Sequence, residues 1–167
     1  MKLNIVMVEP EIPQNTGNIA RTCAITGAKL HLVYPLGFDI SSKYLKRAGL
    51  DYWDKLEIEE HSSLECFLEK YKPEENNMFF ASTKAQHCYT DIDYSKFKDK
   101  DVFVLYGKET KGLPEDLLKK YIDRTIRIPM RPVLRSLNLS NSVAIITYEI
   151  LRQIDFDGLQ GESEYFN

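Results

Sequence analysis

Two hydrophobic patterns alternate along this chain: short continuous apolar runs, and longer stretches in which apolar residues recur at helical spacing. Leu3 to Val8 is a continuous, partly β-branched run stopped by Glu9 and Pro10, which predicts a buried strand. After Pro13, Ile19, Cys23 and Thr26 fall on one face and Gly27 follows as a natural C′ residue, so a helix is expected, with Asn15 as its N-cap. Lys29 to Tyr34, closed by Pro35, reads as a second strand, and Leu56 to Ile58 as a short one. Between them Gly37 to Leu50 reads as loop plus a short helix around Ser42 to Arg47. Leu64, Phe67, Leu68 and Tyr71 stand at i, i+3, i+4 and i+7, which predicts an amphipathic helix over Ser62 to Tyr71, ended by Pro73.

Further strands are expected at Met78 to Ala81, Asp101 to Tyr106 and Thr125 to Ile128, the second being the clearest because Val102 to Leu105 is unbroken. Thr83 to Lys100 is polar with no strong period. A short helix begins near Pro114, placed at N1, and a longer one runs from Leu139 to Ile154 with Leu139, Val143, Ile146, Ile150 and Ile154 on one face. Strands that alternate with helices in this way predict an α/β fold, with a mostly parallel sheet covered by helices on both faces.

The 167 residues, 43% of them hydrophobic, suffice for one domain with a sizeable core, and no Gly/Ser-rich linker divides them. One domain over 1–155 is expected, followed by an acidic tail over 156–167. No run approaches the roughly 20 apolar residues of a membrane span, and no signal peptide pattern is present, so a cytoplasmic protein is expected. Cys23, Cys66 and Cys88 are an odd count without a C-x-x-C pair, and His31, His61 and His87 are scattered. The cysteines read as small buried apolar residues, and no metal site is expected.

The formal charge of −3 does not by itself favour a nucleic acid partner, but its distribution is uneven. Lys119, Lys120, Arg124, Arg127, Arg131 and Arg135 face only Asp123 over that stretch, and Lys43, Lys46 and Arg47 form a second cluster. Such runs are ordinarily solvated faces; two of them beside polar loops raise the odds of an anionic partner.

In a parallel α/β sheet, ligands bind at the carboxyl ends of strands, so four loops stand out: Asn15 to Arg21, Ala81 to Lys84, Gly107 to Gly112 and Ile128 to Asn141. Pro129 and Pro132 fix two φ angles and stop the strand before the last loop, where Ser136, Asn138 and Ser140 sit at a helix mouth. Read locally they cap that helix, or their neighbouring amides hold a ligand oxygen. Gly107 and Gly112 have phosphate-loop spacing, but Leu113-Pro114 replaces the Lys-Ser/Thr of a Walker A motif, leaving a pair of tight turns as the plain alternative. Arg21, in a helix otherwise built of small and apolar groups, is either a working charge or a side chain snorkelling to solvent. No G-x-S-x-G or G-x-G-x-x-G is present.

Taken together the loops resemble the SPOUT class of RNA methyltransferases. The matching residues are Asn15-x-Gly17-Asn18-x-Ala20-Arg21, then Leu105-Tyr-Gly107-x-Glu109-Thr-x-Gly112-Leu-Pro, then Ile128-Pro-Met followed by Arg135-Ser-Leu-Asn-Leu-Ser-Asn141. Glu9-Pro-Glu-Ile-Pro13 and Arg47-Ala-Gly-Leu-Asp-Tyr52 further resemble the TrmL (YibK-like) subfamily, which methylates the ribose 2′-hydroxyl of the tRNA wobble nucleotide. Gln14 and Ser142 depart from the subfamily pattern, where proline and alanine are usual.

The resemblance implies a C-terminal trefoil knot, a homodimer with shared sites, S-adenosylmethionine as cofactor and the anticodon stem-loop of tRNA as substrate. It implies a cofactor cleft at Ala81, Gly107, Ile128, Ser136 and Leu137, and catalysis around Arg21, with Asn15, Glu109 and Asn138 orienting the arginine or the ribose. Lys46, Arg47 and Arg135 would meet tRNA phosphates, and Tyr148 the dimer or substrate side. A non-catalytic RNA-binding module on the same fold and an unrelated flavodoxin-like nucleotide-binding enzyme are the alternatives. The first would tolerate loss of Arg21 or Glu109; the second does not account for three ordered motifs.

Overall fold

The structure of the protein is a computed structural model that describes residues 1–39, 55–134, 136–163 and 165. The helix expected around Ser42 to Arg47 lies outside the described residues, as do Lys46, Arg47 and Arg135. Among the described residues seven strands form one sheet: β1 (Lys2–Val8), β2 (Lys29–Val33), β3 (Ile58–His61), β4 (Asn77–Ala81), β5 (His87–Cys88), β6 (Asp101–Tyr106) and β7 (Thr125–Arg127). Their order across the sheet is β3-β2-β1-β6-β4-β7-β5, and every pairing is parallel.

Among the described residues four α-helices cover it: α1 (Pro13–Thr26), α2 (Leu64–Tyr71), α3 (Glu115–Lys120) and α4 (Leu139–Arg152). Alternation along β1 sorts them into two layers, because successive strand side chains point to opposite faces. Ile5 and Met7 pack in one core with Ile19, Ala20 and Cys23 of α1 and Val143, Ile146 and Ile150 of α4. Val6 and Val8 pack in the other with Phe67 of α2 and Leu118 of α3. Each Val, Leu, Ile, Phe or Met side chain among them that is buried in full contributes about 1.5–3 kcal/mol.

Most elements lie within two residues of their expected ends. β3 is the exception among the strands, since it covers Ile58–His61 rather than Leu56 to Ile58: pairing with β2, which sets Leu30 against Ile58 and Val33 against His61, decides its register. β5, only two residues long, pairs His87 with Ile126 and Cys88 with Arg127 inside the stretch that shows no period. Pro114 occupies the N-cap of α3, not N1. Of the cysteines only Cys23 is buried, its thiol pushed up to about 12 by burial; Cys66 is exposed and Cys88 half-buried.

The carboxyl ends of β1, β6, β4 and β7 lie side by side, since β6 pairs with both β1 and β4, and β4 with β7. The loops that follow these strands are therefore neighbours, although 98 residues separate Glu11 from Glu109.

Candidate active site

Two helix N-termini meet among these loops. α1 begins at Ile12 and Pro13, so its N-cap residue carries no capping side chain, and Asn15, expected to be that cap, is two residues inside the helix. The missing cap comes from another loop. The Glu109 carboxylate accepts hydrogen bonds from Glu11 N at 2.9 Å, Ile12 N at 3.2 Å and Asn15 Nδ2 at 3.0 Å. A carboxylate on the first amides of a helix satisfies orphan donors and complements the helix dipole.

α4 is capped from within. Asn138 Oδ1 accepts from Ser140 N at 2.9 Å, Asn141 N at 3.4 Å and Ser140 Oγ at 2.7 Å. Its Nδ2 donates to Asn15 Oδ1 at 3.0 Å. Glu109, Asn15 and Asn138 thus form one relay that ties the loops after β1, β6 and β7 together. In the single chain the three side chains orient one another and two helix ends.

The relay forms part of the wall of a cleft of about 660 Å³. All five residues expected around a cofactor line it: Ala81, Gly107, Ile128, Ser136 and Leu137, together with Asn15, Glu109 and Asn138. Tyr106, Leu113, Ile126 and Ile146 add apolar surface, and the backbone from Gly107 to Gly112 forms one side. Gly107 is required by the loop itself. A Cβ there would stand 2.1 Å from the carbonyl carbon of Gly112 and 2.2 Å from Leu113 N, so only glycine lets the loop fold back onto its own start.

Arg21 and Tyr148 lie elsewhere. Arg21 is exposed on α1, and Tyr148 is 46% exposed on α4; neither lines the cleft of the single chain. Ile25, one helical turn beyond Arg21, is 51% exposed, and Ile145, one turn before Tyr148, is 38% exposed. The two helices pack on one another, and each exposes large apolar side chains, with Arg21 one turn from Ile25 on α1.

Missed by sequence reasoning are the ties between Glu9 to Ile12 and Lys108 to Thr110. Glu11 accepts from Thr110 N at 3.0 Å and from Thr110 Oγ1 at 2.9 Å, and Lys108 pairs with Glu9. Two carboxylates in Glu9-Pro-Glu were the available signal.

Away from the cleft, His31, Glu59 and His61 form a group between β2, β3 and α2, the histidines buried and Glu59 half-buried. His31 Nδ1 lies 3.0 Å from His61 Nε2, and His31 Nε2 lies 3.0 Å from Asn4 Oδ1. Asn4 Nδ2 donates to two carbonyls, so its Oδ1 is an acceptor, His31 carries its proton on Nε2, and His61 Nε2–H donates to His31 Nδ1. The ring centroids are 5.3 Å apart with planes 16° from parallel, which is the N···N distance extended by one ring radius at each end. The two nitrogens face each other along a hydrogen bond, and His61 Nε2 also lies 3.4 Å from Glu59 Oε1. Glu59 is also taken up by Lys29, Lys70 and Tyr71. These bonds tie β1, β2, β3 and α2 together.

Burial pushes the His31 imidazole down to about 3 and lowers His61 as well. For Glu59 burial acts upward, but the hydrogen bonds from Lys29, Lys70 and Tyr71 outweigh it and hold the carboxyl well below its ordinary range.

Among known proteins, the chain is 52% identical over 166 residues to a Listeria monocytogenes protein provisionally named a tRNA (cytidine(34)-2′-O)-methyltransferase, covering 99% of this chain and 96% of that one. A solved structure described as giving insight into the 2-OH methylation of C/U34 on tRNA superposes with TM-score 0.84 at 41% identity, covering 93% of this chain and 97% of the other. An AdoMet-bound rRNA methyltransferase from Sinorhizobium meliloti superposes with TM-score 0.79 at 26% identity, over 92% of this chain and 57% of that one. A family model for SpoU rRNA methylases matches residues 2–148, which span all seven strands and the cleft, and the chain belongs to that family.

Proposed function

We propose that the protein is an S-adenosylmethionine-dependent methyltransferase acting on the ribose 2′-hydroxyl of the wobble nucleotide, position 34, of tRNA, with cytidine or a modified uridine as the base. One observation carries the reading. Three loops far apart in sequence, each holding one of the recognised motifs, converge on a single cleft through the Glu109–Asn15–Asn138 relay. The relatives' names support the choice of nucleotide 34 and of the 2′-hydroxyl.

The cleft fits the cofactor. Its volume lies within the range of small-molecule sites, and its walls combine apolar side chains with exposed backbone edges, as a purine and a ribose require. When bound, S-adenosylmethionine supplies an activated methyl group. Backbone groups at Ala81, Gly107 and Ile128 would read the adenine edge, and Ser136 and Leu137 would close over it. Asn15, Glu109 and Asn138 hold these walls in register.

Arg21 positions the ribose hydroxyl and stabilises charge as its proton leaves. With a pKa above about 12, a guanidinium serves poorly as the base. Arg21 shares α1 with the exposed Ile25, and α4 exposes Ile145 and Tyr148; a homodimer that buries these helix faces would bring Arg21 to a shared site. Lys46, Arg47 and Arg135 meet tRNA phosphates, and Tyr148 serves the dimer or substrate side. The reading includes the C-terminal trefoil knot, a catalytic domain over 1–155 with an acidic tail over 156–167, and a cytoplasmic site of action. Among the described residues no helix is long and apolar enough to cross a membrane.

The test is transfer of a labelled methyl group from S-adenosylmethionine to total tRNA, followed by nucleotide mapping. Label on the 2′-oxygen of nucleotide 34 is expected, and Arg21→Ala should abolish it while cofactor binding survives. Label on a base, or at another position, would refute the reading; full activity in Arg21→Ala would remove the arginine from the chemistry.

A further inference from the structure

The chain leaving β1 and the loop leaving β6 exchange carboxylates. Glu109 of the second accepts from the backbone amides of Glu11 and Ile12 in the first, and Glu11 of the first accepts from the backbone amide and hydroxyl of Thr110 in the second. Lys108 paired with Glu9 closes the same seam. The seam is rigid on its outer side too. Glu9 turns the chain in a left-handed conformation, φ 49°, with its amide donating to Val33 O at 2.9 Å. Gly37 N donates to Pro10 O at 2.9 Å, and a Cβ on Gly37 would stand 2.8 Å from Glu11 Cα. The Glu11 backbone is thus pinned between the strand-end loop of β2 and Glu109, and its side chain is aimed at Thr110 from a fixed base.

We propose that Glu11 is a positioning residue for the cofactor: by holding Thr110 it keeps the Gly107–Gly112 loop, whose backbone lines the cleft, in its binding-competent form. The inference rests on the cofactor reading given under Proposed function. It differs from the role of Glu109, which caps α1; Glu11 has no helix end to satisfy, and both of its oxygens go to the loop. A half-exposed side chain with two contacts to one residue contributes about the weight of one charge-assisted hydrogen bond. The contribution falls on binding, because Glu11 does not line the cleft.

The experiment measures S-adenosylmethionine affinity by calorimetry and steady-state methyl transfer on tRNA, in the full-length protein. Glu11→Ala should weaken cofactor affinity about tenfold and raise the cofactor KM in proportion, with kcat at saturating cofactor within about twofold of the parent. Glu11→Gln should recover most of the affinity, because its amide still offers Thr110 N an acceptor and Thr110 Oγ1 a donor. Thr110→Val, which removes only the hydroxyl, should fall between, and adding it to Glu11→Ala should cost nothing further. Unchanged affinity in Glu11→Ala, or a kcat loss with KM fixed, would overturn the proposal. If Glu11→Ala does not fold, Thr110→Val with parental affinity would overturn it instead. A parent protein that bound no S-adenosylmethionine would fail the functional reading itself, a result distinct from a parent that binds and variants that bind equally well.

Discussion

Two polar networks are built into this one sheet, and they have opposite characters. The network of His31, His61, Asn4 and Glu59 lies among Phe67, Tyr71 and Phe103, and its two imidazoles bond to each other and to Asn4. The network of Glu109, Asn15 and Asn138 is satisfied just as fully, but it lies at the carboxyl ends of strands and one side of it is open to a cleft. His31 has a strongly shifted imidazole, and the shift reports burial. Perturbed titration marks a functional site only when it coincides with a cavity. What distinguishes the second network is position at the strand ends and the backbone it holds in place.

Substitutions should separate the two regions sharply. The largest effect is expected from Gly107→Val: with 2.1 Å between a Cβ and Gly112 the loop cannot close, so calorimetry should detect no S-adenosylmethionine binding, while far-ultraviolet circular dichroism stays that of the folded sheet. Glu109→Gln comes next. It keeps the shape but removes the charge from the α1 N-terminus, and thermal melting should report a loss of about 1–2 kcal/mol together with weakened cofactor binding.

A purely structural effect, absent at neutral pH and growing only in acid, belongs to the histidine network. The folded protein holds His31 neutral down to about pH 3, whereas the unfolded chain takes up that proton near pH 6.5. Unfolding therefore binds protons between those values, and stability falls with acid by up to about 1.4 kcal/mol per pH unit over that window. The lowered Glu59 carboxyl acts in the same direction at the acid end, since its stabilising charge is lost as pH falls through its folded pKa. Denaturant titrations across pH should show a shallower slope in His31→Asn, with methyl transfer at neutral pH unchanged. Loss of transfer in that variant would blur the distinction between the networks.

The elements whose pattern is local were legible in the sequence. Asp101–Tyr106 is a continuous apolar strand and its bounds agree, and Leu139 to Ile154 places Val143, Ile146 and Ile150 in the core as its spacing requires. The motif loops were also legible as a set, since all five expected cofactor residues line one cleft. What escaped is long-range. Asn15 reads locally as a helix cap because its partners, Glu109 and Asn138, are 94 and 123 residues away. His31 and His61 read as scattered because only the parallel pairing of β2 with β3 brings Val33 opposite His61. β5 is too short for any periodicity to register. Spacing carries information about one element at a time; partners across the sheet do not appear in it.

The most direct test of the central claim, that the motif loops and not the histidine network form the ligand site, is amide hydrogen exchange with and without S-adenosylmethionine. Added protection is expected over Ala81 to Lys84, Gly107 to Gly112 and Ile128 to Ser142, with β2, β3 and α2 exchanging as before. Protection centred on His31 and His61, or none at the three loops under conditions where binding is saturated, would contradict the account.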